Sequence, residues 1–289
     1  MNKSNLFVGL FATILIAIAV IGFSKASQAP SQMAEGIVNY TISQTWDLPP
    51  QLNEISGITW MDNHTLACVQ DENGIIFIYD LDEKSIVEEI PFAGNGDYEG
   101  IALHNNDIYI MQSDGLLYEV RDWRATDRVI SSYHTGFKAS NNMESLTYSV
   151  KDDCLLTVPK DKDWSADFKG IYKISLTSKK TDINVPAYKI DMTSAALKDY
   201  RMKKLQKTFN PSEIAVHPKT NEIYVLDGKS PKLMILDPEG HLKIVYKLDK
   251  INFPQPEGMT FSDDGNLYIS NESAHGPANI HLVELKSAK

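Results

Sequence analysis

Glu99-Gly100-Ile101-Ala102-Leu103 runs acidic, small, apolar, small, apolar, and the pattern recurs four times. Its counterparts are Ser56-Gly57-Ile58-Thr59-Trp60, Glu144-Ser145-Leu146-Thr147-Tyr148, Ser212-Glu213-Ile214-Ala215-Val216 and Glu257-Gly258-Met259-Thr260-Phe261. Their first positions lie 43, 45, 68 and 45 residues apart. A period near 45 residues is that of a four-stranded propeller blade, so the sequence predicts an all-β, five-bladed β-propeller.

Each segment is followed by turn chemistry and a second strand. The turns are Met61-Asp62-Asn63, Asn105-Asn106, Pro218-Lys219-Thr220-Asn221 and Asp263-Asp264-Gly265, residues that suit tight hairpins. Third strands are expected at residues 75–81, 116–120, 170–176, 233–236 and 280–285, and fourth strands at 86–90, 128–133, 187–191 and 242–248. The fifth repeat lacks a fourth strand, whereas residues 38–48 form a strand with no partner of its own. Pairing the two closes the ring and removes its exposed edges. The long interval holds an insertion, Ser194 to Gln206, of helical composition. The basic residues Arg201, Lys203, Lys204 and Lys207 read as its solvated face. A shorter insertion, Lys160 to Lys169, enlarges the third repeat.

Ahead of the repeats, Leu6 to Phe23 is an 18-residue run without a charge, flanked by Lys3 and Lys25. As a helix it would span roughly 27 Å, close to a bilayer core. It reads as a membrane anchor in preference to a signal peptide cleaved near Ala26-Ser27-Gln28-Ala29. The expected organisation is residues 1–27 as anchor or signal, 28–36 as linker and 37–289 as propeller. Everything from Gln28 onward would be exported, held at the membrane or secreted if the segment is cleaved. No cysteine follows the run, which excludes a lipoprotein anchor. Cys68 and Cys154 fall in different repeats and read as buried free thiols. A net charge of -10 argues against nucleic acid or an anionic lipid surface as partner and favours cations.

In antiparallel hairpins the starts of the first strands lie beside the ends of the second, so all ten gather at one mouth of the channel. The starts bring Ser56, Glu99, Glu144, Ser212 and Glu257, with Glu213 following Ser212 and Glu54 two positions before Ser56, on the same face by strand alternation. The ends bring Gln70, Asp71, Gln112, Lys160, Asp161, Asp227, Asn271 and Glu272. Crowded carboxylates raise one another's pKa unless a cation compensates. Oxygen donors without clustered His or Cys favour Ca²⁺ over Zn²⁺, and Mg²⁺ prefers fewer protein ligands. Glu54, Glu99, Glu144 and Glu257 are the expected metal ligands. The alternative to a bound cation is that these groups only lock blades together by hydrogen bonds to neighbouring backbone, with Lys160 and Lys229 balancing their charge. Histidines are scattered. His217 sits in a hairpin turn, and His275, in a loop near Glu272, is the one placed to act as a general base.

The phrases Asn53-Glu54-Ile55-Ser56-Gly57-Ile58-Thr59-Trp60, Asp97-Tyr98-Glu99-Gly100-Ile101-Ala102, Asn142-Met143-Glu144-Ser145-Leu146, Pro211-Ser212-Glu213-Ile214-Ala215-Val216-His217-Pro218 and Pro256-Glu257-Gly258-Met259 resemble the SdiA-regulated family of bacterial envelope proteins over residues 38–285. The resemblance implies a five-bladed propeller, distantly similar to NHL-repeat propellers, behind an N-terminal membrane segment, with a calcium site at the channel. Glu213 departs from it, standing where a small residue is expected. Besides a scaffold with no pocket chemistry, two functions compete. One is a calcium-stabilised module that binds a small molecule or an envelope protein. The other is a calcium-dependent hydrolase, similar to NHL-like lactonases and esterases, in which Glu99, Glu144 and Glu257 hold the metal and Asp71, Glu272 or His275 activates water.

Overall fold

The computed structural model describes residues 40–274 and 276–286. The expected anchor and linker and His275 lie outside the described residues, among which no helix is long and apolar enough to cross a membrane.

Strand β1 (Tyr40–Asp47) precedes four complete blades: β2 (Ile55–Trp60), β3 (Thr65–Gln70), β4 (Asn73–Asp80) and β5 (Ser85–Asn95); β6 (Tyr98–His104), β7 (Asp107–Gln112), β8 (Leu116–Arg121) and β9 (Val129–His134); β10 (Thr147–Ser149), β11 (Cys154–Thr157), β12 (Phe168–Ile174) and β13 (Tyr188–Asp191); β14 (Pro211–Val216), β15 (Ile223–Asp227), β16 (Lys232–Leu236) and β17 (Leu242–Lys247). The fifth blade is β18 (Pro256–Phe261), β19 (Leu267–Asn271) and β20 (Asn279–Leu285), with β1 as its outer strand. The first strands of the blades touch in cyclic order, β2, β6, β10, β14, β18 and again β2, so the ring is closed.

Each blade is buried on both faces, and its strands show why. Along β3, Leu66 and Cys68 enter the core shared with the fifth blade, while Ala67 and Val69 enter the core shared with the second. Period-2 alternation therefore feeds two cores from one uninterrupted apolar run. The same holds around the ring, where one apolar cluster lies between each pair of neighbouring blades. Cys68 and Cys154 are buried free thiols on the first and third blades. The expected turns carry the left-handed residues that hairpins need, including Asn63, Asn105, Asn221 and Gly265.

The insertion differs from its composition. Residues 195–200 and 205–207 form 3-10 turns, not an α-helix. Leu197, Tyr200 and Leu205 all pack onto the core between the third and fourth blades, and the three-residue spacing of the first two matches the 3-10 repeat. Arg201, Lys203 and Lys204 are exposed, as their charge predicts, but Lys207 pairs with Asp161.

Inner strands approach closely where the repeats carry glycine. A Cβ on Gly57 would lie 2.5 Å from the Glu99 carbonyl oxygen, and one on Gly100 2.6 Å from the Leu146 nitrogen. Both neighbours are backbone and cannot step aside. Gly100→Ala is therefore expected to cost about 1–3 kcal/mol, read as a lower urea midpoint with an unchanged m-value. An unchanged midpoint would show that the inner ring has slack.

Candidate functional site: the acidic mouth of the channel

The cross-strand rungs nearest the mouth are Ile55 with Gln70, Tyr98 with Gln112, Met143 with Pro159, Pro211 with Asp227 and Pro256 with Asn271. The next residue on each second strand occupies one equivalent ring position, filled by Asp71, Ser113, Lys160, Gly228 and Glu272. The next residue on each first strand is Ser56, Glu99, Glu144, Ser212 or Glu257. In four blades the register slips there: between Ile55 and Ile58, Tyr98 and Gly100, Pro211 and Glu213, and Pro256 and Gly258. Bulges re-aim side chains at the ends of strands, and in the third blade regular pairing resumes only at Thr147.

These strand starts bring Glu99, Glu144 and Glu257 into mutual repulsion around the Lys160 ammonium, which hydrogen-bonds Glu144. Burial pushes the Glu99 carboxyl well up, and Glu144, Asp97 and Glu257 push it further. Burial raises Glu257 as well, against the pull of Lys160. For Lys160, burial disfavours the charge, but Glu257, Glu144 and Glu99 outweigh it and keep the side chain an ammonium. One ammonium cannot neutralise three carboxylates, so the cluster retains protons.

Lys160 is held from beneath. Its backbone N–H donates to the Asn142 carbonyl oxygen at 2.9 Å. The fully buried Lys169 donates to the carbonyl oxygens of Pro159, Lys160 and Asp161 at 3.3, 2.7 and 2.5 Å. The short insertion that begins at Lys160 is thus a clamped loop that delivers one positive charge to the mouth.

Glu54 stands elsewhere. It precedes β2 and follows a 3-10 turn at residues 50–52, so alternation does not carry it to the face of Ser56. It acts instead on Asp71, whose carboxyl is pushed up to about 6 by burial and by Glu54. Glu272 completes this second group. Burial, Asp71, Glu54 and Glu144 push it up to about 7 against the pull of Lys160.

Several expected face residues are committed to structure. Gln70 accepts from the Asn73 N–H at 2.7 Å, and Ser212 donates to the Pro256 carbonyl oxygen at 2.9 Å. Ser56 is buried, with its carbonyl oxygen 3.5 Å from the Ser270 hydroxyl, and Gln112 caps a turn through its carbonyl oxygen. Asp227 is fully buried, pairs with Lys232, and accepts from the N–H groups of Asn210 and Ser230 at 3.0 and 2.9 Å. Glu213 occupies the slot that is glycine in three other repeats. One oxygen accepts from Leu146 N and Ile214 N at 3.0 and 2.9 Å, and its other oxygen, Oε2, has no partner. Asp71 Oδ1 and Asn271 Oδ1 are likewise buried without a donor.

Sequence reasoning passed over Asp97, Asn142, Asn210 and Gln255. With Glu54 they form a polar ring two positions before each repeat start. Asp97 accepts from Ser113, Asn142 donates to Glu144 at 2.6 Å, Asn210 binds Asp227, and Gln255 donates to Glu272. The fixed offset was the available signal.

The oxygen-only donor set suits a hard cation in kind. With Lys160 in place the donors are not drawn together: among the described residues no three His, Cys, Asp or Glu side chains are grouped to hold an ion, and the Lys160 ammonium stands among the carboxylates.

A closed five-bladed β-propeller with an acidic channel mouth is the class of protein that this fold and site define. The chain belongs to the SdiA-regulated family, whose model matches residues 38–275. No curated protein sequence matches it. Among solved structures, Myxococcus xanthus glutaminyl cyclase aligns at a TM-score of 0.63 with 12% identity, over 86% of this chain and 97% of that one. A Bacteroides thetaiotaomicron protein of unknown function aligns at 0.51 with 12% identity, over 78% and 58%. Virginiamycin B lyase from Staphylococcus aureus aligns at 0.46 with 13% identity, over 86% and 74%. At these identities the likeness is one of fold.

Proposed function

We propose that the propeller is a ligand- or partner-binding module of the bacterial cell envelope, exported or anchored through its N-terminal segment, whose acidic mouth takes up a cation. The observation that carries this reading is the surplus of acceptors. Carboxyls from three blades act on one ammonium, and Asp71, Glu213 and Asn271 each carry a buried oxygen without a donor. Calcium is the metal such donors suit. Glu99, Glu144 and Glu257 would hold it once the Lys160 ammonium withdraws, and it would supply charge neutralisation at the mouth.

Calcium titration monitored by thermal unfolding tests the reading, because a ligand that binds only the folded state raises Tm with concentration. At about 100 times Kd the gain is about 2.7 kcal/mol, and Glu144→Gln is expected to abolish most of it. A Tm that does not respond to calcium would remove the metal from the proposal.

A further inference from the structure

What the mouth holds in this structure is an organic cation supplied by the protein itself. The Lys160 ammonium bonds Glu144 and is attracted by Glu257 and Glu99. Glu144 and Glu257 are buried, yet the Lys160 side chain is 22% exposed and lies at the start of a loop, outside any strand. It is the group at the mouth that can swing outward without breaking a blade.

Two further observations indicate that the site is made for more donors than Lys160 provides. Glu213 is completely buried, faces the charges of Glu257 and Glu144, and has an oxygen with no partner. Beside the central group, Glu54, Asp71 and Glu272 form a second acidic group that no lysine or arginine bonds among the described residues. Glu272 feels Asp71 and Glu54 on one side and Glu144 on the other, so the two groups are continuous. An ammonium differs from a metal ion in what it asks of such a site. Its N–H groups reach oxygens at about 2.7–2.9 Å and need no tight convergence, whereas calcium needs six to eight oxygens at about 2.3–2.6 Å. Among the described residues no three acidic side chains are grouped to hold a metal ion, whereas Glu144 already accepts from an ammonium, that of Lys160.

We propose that the mouth recognises a short aliphatic diamine, with one ammonium taking the place of the Lys160 side chain among Glu99, Glu144 and Glu257 and the second lying among Glu54, Asp71 and Glu272. Lys160 is then a tethered occupant that the ligand displaces, and it sets the affinity. A site whose competent state is only partly populated binds more weakly by that fraction, so removing the occupant tightens binding. The inference rests on the reading of the mouth as a cation site but names a different cation.

The test is calorimetric titration of the full chain with 1,4-diaminobutane, with 1-aminobutane and with calcium, on the wild type, Lys160→Ala and Lys160→Gln. The diamine is expected to bind both variants at least about tenfold more tightly than the wild type, and the monoamine more weakly than the diamine throughout. Equal or weaker diamine binding in the variants overturns the proposal. Should both variants fail to fold, acylation of Lys160 in the wild type, with the reagent in large excess over all free amine and followed by mass spectrometry, decides the matter. Diamine is expected to raise its labelling, and unchanged labelling overturns the proposal. Calcium raising Tm while the diamine neither binds nor exposes Lys160 would sink this inference and leave the metal reading standing. Failure of both ligands would sink the two together.

Discussion

Asp227→Ala is expected to be the most damaging single substitution in the fourth blade. Asp227 and Lys232 are both 0% exposed and pair with each other, and Asp227 also accepts from two backbone N–H groups. Removing the carboxylate strands an ammonium between Tyr200 and Phe209 and leaves the Asn210 and Ser230 amides without acceptors. Breaking a buried pair from one side costs about 3–5 kcal/mol, because the surviving charge has nothing to compensate it. For a chain of this size that is a fall in Tm on the order of 10 °C. The double change Asp227→Leu with Lys232→Met removes both charges and should recover a large part of the loss. If the single substitution costs no more than the double one, the pair is not what holds this end of the blade.

The metal-free protein is expected to lose stability as pH rises from 6.5 to 8. Burial and mutual repulsion raise the carboxyls of Asp71 to about 6 and of Glu272 to about 7, and hold Glu99, Glu144 and Glu257 above the ordinary range. An unfolded carboxyl titrates near 4. Between the two values the folded state binds more protons, so unfolding becomes easier with each increment of pH. Other groups oppose this trend elsewhere. His217 and His281, pushed down by burial, add stability only up to about pH 6.5. Glu119, Asp152 and Asp161 are held low through the bonds of Lys179, Lys173 and Lys207, and their contribution is lost only at acid pH. Lys169, pushed down to about 8 by burial, opposes the trend only toward the top of the window and above it. Each retained proton corresponds to about 1.4 kcal/mol per pH unit, or about 3 °C in Tm for a chain of this length. A melting temperature that is flat or rising from pH 6.5 to 8 would show that the mouth is fully ionised.

The ring itself was written in the sequence, because blade repetition is a matter of period, and the five phrases beginning at Ser56, Glu99, Glu144, Ser212 and Glu257 keep that period except where two insertions lengthen one interval to 68. Closure was legible for a related reason: a strand without a partner before the first repeat and a repeat without a fourth strand after the last fit each other alone. The mouth was legible only in outline. Strand alternation assigned Glu54 to the face of Ser56, but a turn before β2 and the bulge at Ser56 redirect it toward Asp71. Nor does alternation show that Gln70, Ser212 and Asp227, polar residues at the right end of the right strands, would be used up by backbone groups nearby. Such bonds depend on three-dimensional proximity between residues such as Ser212 and Pro256, 44 positions apart. The counter-ion role of Lys160 was visible as charge balance, but its support by Lys169 from below was not.

The pairing of β1 with β20 sets Tyr40 opposite Leu285 and Asp47 opposite Asn279. Both ends of the ring thus leave it at one point on the rim, side by side. Tension applied between the two ends would pull at the first rung of this ladder and open the rungs one after another, as a zipper opens. Such loading meets little mechanical resistance compared with shear, in which all rungs bear the load at once. The seam of the circle is therefore the place where a stretched tether would first release the outer strand.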